Sequence, residues 1–391
     1  MKILVLAPHP YYQERGTPIA VDLLIKALSE RGDSVDLLTF HEGIDREYEG
    51  LRICRISPIP NIKNLRPGFS SKKIYCDIFM FFRLIILLLK NRYDVVHAVE
   101  ESAFMALLTF PIRSIPFVYD IDSSMTTQII DRLRFLRPLE GILRFFESLP
   151  MRYASAVVPM CDALADDARR NGAQNVVVLK DVSLIDQSEI PEVASDLRGE
   201  INITGKILMY IGNLESYQGI DLLLVSFAKI NKATDEASLV VIGGIPKHVE
   251  YYRECARSLG ISKYVYFLGP RPVTQIGGYM KQADVLVSPR TQGANTPMKI
   301  YSYLDSGVAV LATRLPTHTQ VMTDEISMLA APEANDFSQA MIAMLDDTEM
   351  CTQLAKKAKL YIKKEHSYAA FRDRVHGLYD DLEKIKKPSS A

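Results

Sequence analysis

Three cationic side chains in the second half of this 391-residue chain stand beside turns rich in glycine and proline, a pairing suited to the capture of an anion. They are Arg290 in Ser-Pro-Arg, Lys299 shortly after Asn-Thr-Pro, and Arg271 in Gly-Pro-Arg-Pro. The stretch 288–313, SPRTQGANTPMKIYSYLDSGVAVLAT, supplies the setting for two of them. An apolar strand closing at Val287 gives way to a loop through Gly293, Ala294 and Asn295, small positions that let the backbone approach a ligand closely. Thr296 is the expected N-cap and Pro297 the expected first helical residue. A helix over 297–306 would end at Gly307, and 308–311 would be the next strand. Free N–H groups and the positive helix end would then face the loop, where a phosphate group can sit, and Lys299 would add a full charge.

Other residues qualify by type and place. Gly212, Asn213 and Gln218 lie in ILMYIGNLESYQG, where a tight turn follows an apolar strand; Asn213 and Gln218 can donate neutral hydrogen bonds to phosphate oxygens or serve only as turn residues. Gly243, after the strand at 239–242, joins them. In the first half, Gly16 in QERGTPIAV opens a helix expected to begin near Pro18, with Thr17 as N-cap. His97, Glu100 and Glu101 in DVVHAVEE, and Asp120 and Asp122 in VYDIDSSM, stand at expected strand ends, where imidazoles and carboxylates can align a hydroxyl. Each has a plainer alternative: a histidine satisfied by backbone, or acids that only cap helices. Lys299 can equally be a solvated helix residue, and Arg271 a surface charge on a stiff turn.

Positioning such residues requires regular alternation of strands and helices, and the sequence has it. Short apolar runs at 3–6, 35–39, 51–56, 95–97, 117–119, 156–158 and 176–179 alternate with helical patterns. A second series begins at Ile207, with runs near 239–242, 265–268, 285–287 and 308–311. This pattern predicts right-handed βαβ units and parallel sheets. The polar, irregular stretch 183–204 reads as a linker between a first domain over 1–182 and a second over 205–366. The remainder, 367–391, is helical in pattern. Ligands are expected at the carboxyl ends of such sheets, in a cleft between the halves.

Composition narrows the function. With 48% hydrophobic and 24% charged residues, the chain is long enough for two cores. A net charge of -1 without a long basic run argues against nucleic acid as partner. The five cysteines show neither metal-ligand spacing nor a paired framework, which is expected of reduced thiols in the cytoplasm. The strand at 3–6 follows Met1 and Lys2 at once, leaving no room for a signal peptide's apolar core. No Asp-rich motif at metal-ligand spacing is present, so no metal and no other cofactor is expected.

The block from the Gly293 loop through Thr-Pro, helix and Gly307 to an apolar strand resembles the donor-binding segment of retaining glycosyltransferases of family 4, which have the GT-B fold. The runs ILMYIGNLESYQGIDLLLVSFAKI and MKILVLAPHPYYQERGTPIAVDLLIKALSERGDSVDLLT are similar to the opening segments of that family's two domains. The resemblance implies an α/β, GT-B architecture: two Rossmann-like, doubly wound domains facing across a cleft, with a C-terminal helix crossing back to the first. It implies transfer of a sugar from a nucleoside diphosphate to a glycan or lipid-linked acceptor. The departing phosphate would serve as base for the incoming hydroxyl, with catalytic contributions from His97, Arg290 and Lys299. It also exposes departures. The family's diphosphate-binding Arg and Lys fall on Asn213 and Gln218, its ribose-binding Glu falls on Ser302, and its other Glu falls near Ala294 or Asn295. Arg290, Lys299 and Arg271 are the expected replacements; a non-catalytic protein of the same fold is the competing reading.

Two segments point to a membrane surface. The run 72–92, KKIYCDIFMFFRLIILLLKNR, is very apolar with basic flanks, yet Asp77 and Arg83 interrupt it, so it is not expected to span a bilayer. The run 132–146, RLRFLRPLEGILRFF, combines four arginines with Leu and Phe, as interfacial helices do. Both could instead face the core. A peripheral position on the inner face of the plasma membrane is the expectation.

Overall fold

A computed structural model describes residues 1–13, 16–60, 62, 65, 70–185, 196–203, 205–231, 237–293 and 296–386. The chain divides into two compact units, Met1–Asp181 with Ala369–Ala391, and Val182–Tyr368. The described parts of 183–204 are built into the second unit and do not form a free linker. Ser183 donates its amide to the His366 carbonyl at 2.9 Å, and the apolar Leu197 is fully buried against Ile207 and Met209. Polar composition suggested a linker because the contacts that fix this stretch lie far away in sequence.

The first unit holds a parallel sheet of β1 (Lys2–Ala7), β2 (Ser34–Thr39), β3 (Leu51–Arg55), β4 (Val95–Val99), β5 (Phe117–Ile121) and β6 (Ala156–Pro159) in the order β3-β2-β1-β4-β5-β6. The expected strand at 176–179 is no more than a bridge from Val176 to Val157. The second unit repeats the pattern with β7 (Lys206–Ile211), β8 (Ala237–Ile242), β9 (Val265–Gly269), β10 (Val285–Ser288), β11 (Ala309–Thr313) and β12 (Met328–Ala330), ordered β12-β11-β10-β7-β8-β9. In each sheet the order reverses beside the unit's first strand, between β1 and β4 and between β7 and β10. Doubly wound sheets bind ligands at that reversal, because the flanking helices depart to opposite faces and leave a crevice at the strand ends.

The strands read as unbroken apolar runs because both faces are covered. Along β7, Ile207, Met209 and Ile211 enter one core, and Leu208 and Tyr210 enter the other. Tyr303, fully buried, closes the end of β7: its hydroxyl accepts from the Ile211 amide at 2.7 Å and donates to the Ile211 carbonyl at 3.0 Å. The C-terminal helix Tyr368–Lys386 is tied into the first unit. Val375 and Tyr379 are fully buried, His376 Nε2 lies 2.9 Å from the Ala27 carbonyl, and Arg31 pairs with Asp380 at 2.7 Å and Glu383 at 3.0 Å.

The helix Ser71–Lys90 is apolar on both faces. Cys76, Met80, Leu84 and Leu88 are buried, while Tyr75, Phe82 and Leu89, each about 60% exposed, form an outer stripe with Ile78, Phe79 and Ile86. The run 132–146 is not one helix. It comprises the end of Met125–Arg132, a 3₁₀ turn Arg134–Leu139 holding Pro138, and the first half of Glu140–Tyr153. Phe135, Ile142, Phe145 and Phe146 are more than half exposed. No described helix is long and apolar enough to cross a membrane.

Candidate active site

At the reversal point of the second sheet the chain leaves β7 at Gly212 and β10 at Pro289 and Arg290. Lys299, first residue of the helix Lys299–Asp305, directs its ammonium into the same place. The ammonium donates to Gln218 Oε1 at 3.2 Å and stands 4.0 Å from the centre of the Tyr210 ring. A Cβ added to Gly212 would come 3.2 Å from it. Arg290 lies over the Tyr217 ring at 5.1 Å, its Nε donating to the Gln292 carbonyl at 2.7 Å. Burial, then the positive charge of Arg290, hold Lys299 well below the usual lysine range, and burial lowers Arg290 as well. Two like charges in a desolvated corner are what an entering anion relieves.

The backbone around these cations is fixed by glycines. Gly219 has φ +75°, and a Cβ there would overlap the Pro289 carbonyl oxygen. The adjacent turn Ser216–Gln218 docks on the β10 exit, with Thr291 donating its amide to the Tyr217 carbonyl at 3.0 Å. Gly293, at φ +120°, leaves the space that the Arg290 guanidinium fills. Gly243 packs against the Gly212 carbonyl and donates its amide to Gly269 at 2.8 Å, so its place is in joining strand ends.

Several expectations need correction. The helix begins at Lys299, not Pro297, because a tighter turn leads into it, with the Ile300 amide on the Pro297 carbonyl at 2.9 Å. Its N-cap is Met298, in helical conformation and without a side-chain cap bond, so Thr296 is not the cap. Thr296 is buried, and its hydroxyl has no partner among the described residues. Ala294 and Asn295 lie outside the described residues. Asn213 makes a turn, its Oδ1 accepting from the Glu215 amide at 3.3 Å. Ser302 is buried, with Oγ accepting from the Leu184 amide at 3.2 Å. Arg271 pairs with Glu200 at 3.4 Å through Nη2, and its buried Nε has no partner among the described residues. Lys299 and Gln218, expected separately, meet.

A residue the sequence reading passed over, His318, is fully buried where β10 and β11 end. Its Nε2 is 2.9 Å from Ser288 Oγ, and its Nδ1 is 2.8 Å from the Thr313 carbonyl and 3.1 Å from Thr313 Oγ1. Burial lowers its pKa to about 4, and the charges of Lys299 and Arg290 add to this. The signal available in the sequence was a lone histidine in THTQ, just past a strand whose neighbour delivers Arg290.

At the reversal point of the first sheet, β1 ends at Ala7 and β4 at Val99. His97 is not at the strand end: β4 continues two residues further, pairing with both β1 and β5. The imidazole is fully buried, with Nδ1 2.9 Å from the Tyr379 hydroxyl and Nε2 3.2 Å from Asp120 Oδ2. With both nitrogens engaged, it positions Asp120 and does not itself offer a nitrogen to substrate. Gly16 opens the helix Gly16–Glu30, so Thr17 lies inside the first turn, where its side chain hydrogen-bonds Asp122. Desolvation, then the charge of Asp120, raises Asp122 well above the carboxylate range; the same two causes lift Asp181 to about 7.

Glu100 follows β4 with φ +48°, its amide donating to the Asp120 carbonyl at 2.9 Å. Lys73, on the first turn of the helix Ser71–Lys90, pairs with Glu101 at 2.6 Å and Glu100 at 3.7 Å. Burial and the Glu101 charge lift Glu100 to about 7, and burial lifts Asp77, beside the same groups, to about 8. The carboxyl edge of the first sheet thus carries acids that hold protons near neutrality, a set that can accept and align hydroxyl groups.

Comparison with known proteins agrees with this division. Residues 15–180 match the model described as Glycosyltransferase Family 4, and residues 196–361 match Glycosyl transferases group 1. An alpha-monoglucosyldiacylglycerol synthase from Streptococcus pneumoniae is 23% identical over 394 residues, spanning 97% of this chain and 86% of that protein. Among solved structures, a sucrose-phosphate synthase from Thermosynechococcus elongatus superposes with a TM-score of 0.79 at 18% identity, covering 98% of this chain and 99% of that one. HepE from Anabaena, solved in complex with UDP, gives 0.75 at 16% identity, covering 97% and 100%.

Proposed function

Because this chain belongs to the GT-B glycosyltransferases of the family 4 type, we propose that it transfers a sugar, with retention of configuration, from a nucleoside diphosphate to a hydroxyl of a glycan or lipid-linked acceptor at a membrane surface. The observation that carries the donor half is the Lys299 ammonium, desolvated at the β7–β10 reversal beside Arg290 and hydrogen-bonded to the neutral Gln218. A diphosphate supplies the charge this corner lacks, and the buried Thr296 hydroxyl is a further donor in the same loop. As the sugar–phosphate bond breaks, negative charge grows on the departing phosphate. Cations already in place and already dehydrated stabilise that growth without reorganising. In this reading no metal takes part, and the departing phosphate removes the acceptor hydroxyl's proton.

The acceptor half rests on the first unit. Asp120, held by His97, and Asp122, held by Thr17, stand ready to orient a hydroxyl-rich group. The exposed apolar stripe of the helix Ser71–Lys90, with Phe135, Phe145 and Phe146 near Arg134 and Arg137, suits a lipid–water interface. The relative from Streptococcus pneumoniae is named for a glycolipid product, which supports a lipid-linked acceptor. The position on the inner face of the membrane belongs to the same proposal.

The test has two steps. Calorimetric titration with UDP, GDP and ADP asks whether the donor site exists; binding of none at millimolar concentration refutes the donor assignment. Turnover of the matching nucleotide sugar with a diacylglycerol glycoside in vesicles, followed by NMR of the product's anomeric proton, asks for transfer and stereochemistry. Binding without turnover over a broad acceptor panel would favour the non-catalytic reading, to which Asn213, Gln218 and Ser302 lend weight.

A further inference from the structure

We propose that His318 is the positioning residue of the donor site: as a neutral imidazole it clamps the ends of β10 and β11 together and, through Thr313, sets the loop that carries Arg290. The inference rests on the donor reading above. The tautomer follows from the geometry. Nδ1 faces the Thr313 carbonyl at 2.8 Å, an acceptor only, so Nδ1 must carry the proton, and it shares that proton with Thr313 Oγ1 at 3.1 Å. Nε2 is then the acceptor for the Ser288 hydroxyl at 2.9 Å. With its lone pair receiving that imidazole N–H, Thr313 Oγ1 donates its own proton to the Arg290 carbonyl at 2.5 Å. One ring thereby fixes Ser288, Thr313 and the backbone of Arg290 in an unbroken relay.

The relay has a reason to exist. Adjacent parallel strands are joined by ladder bonds only as far as the pairing lasts, and here it ends at Ser288 with Ala312. Beyond it, the Ser-Pro-Arg exit leaves the β10–β11 ladder. A buried side chain with one donor and one acceptor replaces the missing rungs. Among the described residues, the charges that act on the ring are those of Lys299 and Arg290, both positive, and the side chains bonded to it are Ser288 and Thr313. A cationic ring in this place would lack an anionic partner, so the clamp works in its uncharged form.

Three variants test the assignment by calorimetric titration with the nucleoside diphosphate that binds the wild type, together with donor KM and kcat. His318→Leu removes both arms and should weaken nucleotide binding about tenfold, raising donor KM with a smaller change in kcat. His318→Asn, whose amide N–H can overlay Nδ1, should restore most of that loss. Thr313→Val leaves the imidazole bonded to Ser288 and to the Thr313 carbonyl, removes the Oγ1 that joins the ring to the Arg290 carbonyl, and should weaken binding about fivefold. Melting temperatures identify folding defects. If the variants melt lower yet bind the nucleotide as tightly as the wild type, His318 is structural and the inference is overturned. Equal losses in the Asn and Leu variants would overturn it too. Absence of binding by the wild type itself removes the donor reading first, which separates that failure from this one.

Discussion

In the proposed function Lys299 concentrates the donor chemistry, so removing it should be felt in binding first. Lys299→Ala should raise the dissociation constant for a nucleoside diphosphate by about tenfold to a hundredfold, the range for one charge-assisted contact, as read by titration calorimetry. Because the ammonium is held below its usual range in the free protein, an arriving phosphate should raise its pKa and draw in a proton at alkaline pH. Titration at pH 9 in buffers of different ionisation enthalpy should then give different apparent enthalpies; equal enthalpies contradict the assignment. On the acceptor side, Tyr379→Phe frees His97 Nδ1 and loosens Asp120, so acceptor KM should rise severalfold while nucleotide binding stays unchanged. The cationic residues were legible because glycine, proline and charge cluster locally at strand ends. His97 was misjudged by two residues of strand length, and Tyr379, which claims it, lies 282 positions away. The ion pair of Arg271 was not legible for the same reason, since Glu200 is 71 residues distant.

Among the elements, the helix Ser71–Lys90 contradicts the rule that a surface helix turns its apolar stripe inward. An apolar outer stripe that water would penalise is stabilised when acyl chains cover it. Phe79→Ser combined with Phe82→Ser should lower affinity for phosphatidylglycerol vesicles by about tenfold or more, given the burial worth of a phenyl group. Arg134→Glu with Arg137→Glu should weaken binding further on anionic vesicles and little on neutral ones, at about 1 kcal/mol per basic residue. Flotation assays read both, and unchanged flotation would remove the membrane surface from the proposal. The strands were legible because parallel sheets covered on both faces spell continuous Val, Ile and Leu. The three-residue β12 is too short to show a pattern, and composition alone does not reveal that the run 132–146 is broken at Leu133 and by the 3₁₀ turn holding Pro138. The outward direction of the helix Ser71–Lys90 was not legible, since its buried and exposed faces carry the same residue types.

At the scale of the whole molecule, the two units should answer pH in opposite senses. In the second, His318 titrates at about 4 when folded and near 6.5 when unfolded, so the unfolded chain takes up the proton first. Its contribution is present above pH 6.5 and is lost as pH falls toward 4, the loss reaching about 2 kcal/mol at pH 5. In the first unit, Asp77, Glu100 and Asp181 have raised values of about 8, 7 and 7, so the folded state keeps protons that the unfolded state has released. Their contribution is present at acid pH and is lost as pH rises through 7 to 8; His9, lowered to about 4 chiefly by burial, opposes them. Hydrogen exchange, corrected for intrinsic rate, should show β10 and β11 better protected at pH 8 than at pH 5, and β1 and β4 the reverse. A parallel response in both units would contradict these assignments.

The return of the chain to the first unit after residue 368 has a consequence for biosynthesis. The second unit is, in connectivity, an insert between two parts of the first, so the ribosome finishes the insert while its host still lacks Val375, Tyr379 and the Asp380 and Glu383 partners of Arg31. The lobe whose synthesis starts earliest is therefore the last to mature, and a stop codon near position 367 should release a protein with an intact second unit and an unfinished first, prone to capture by chaperones.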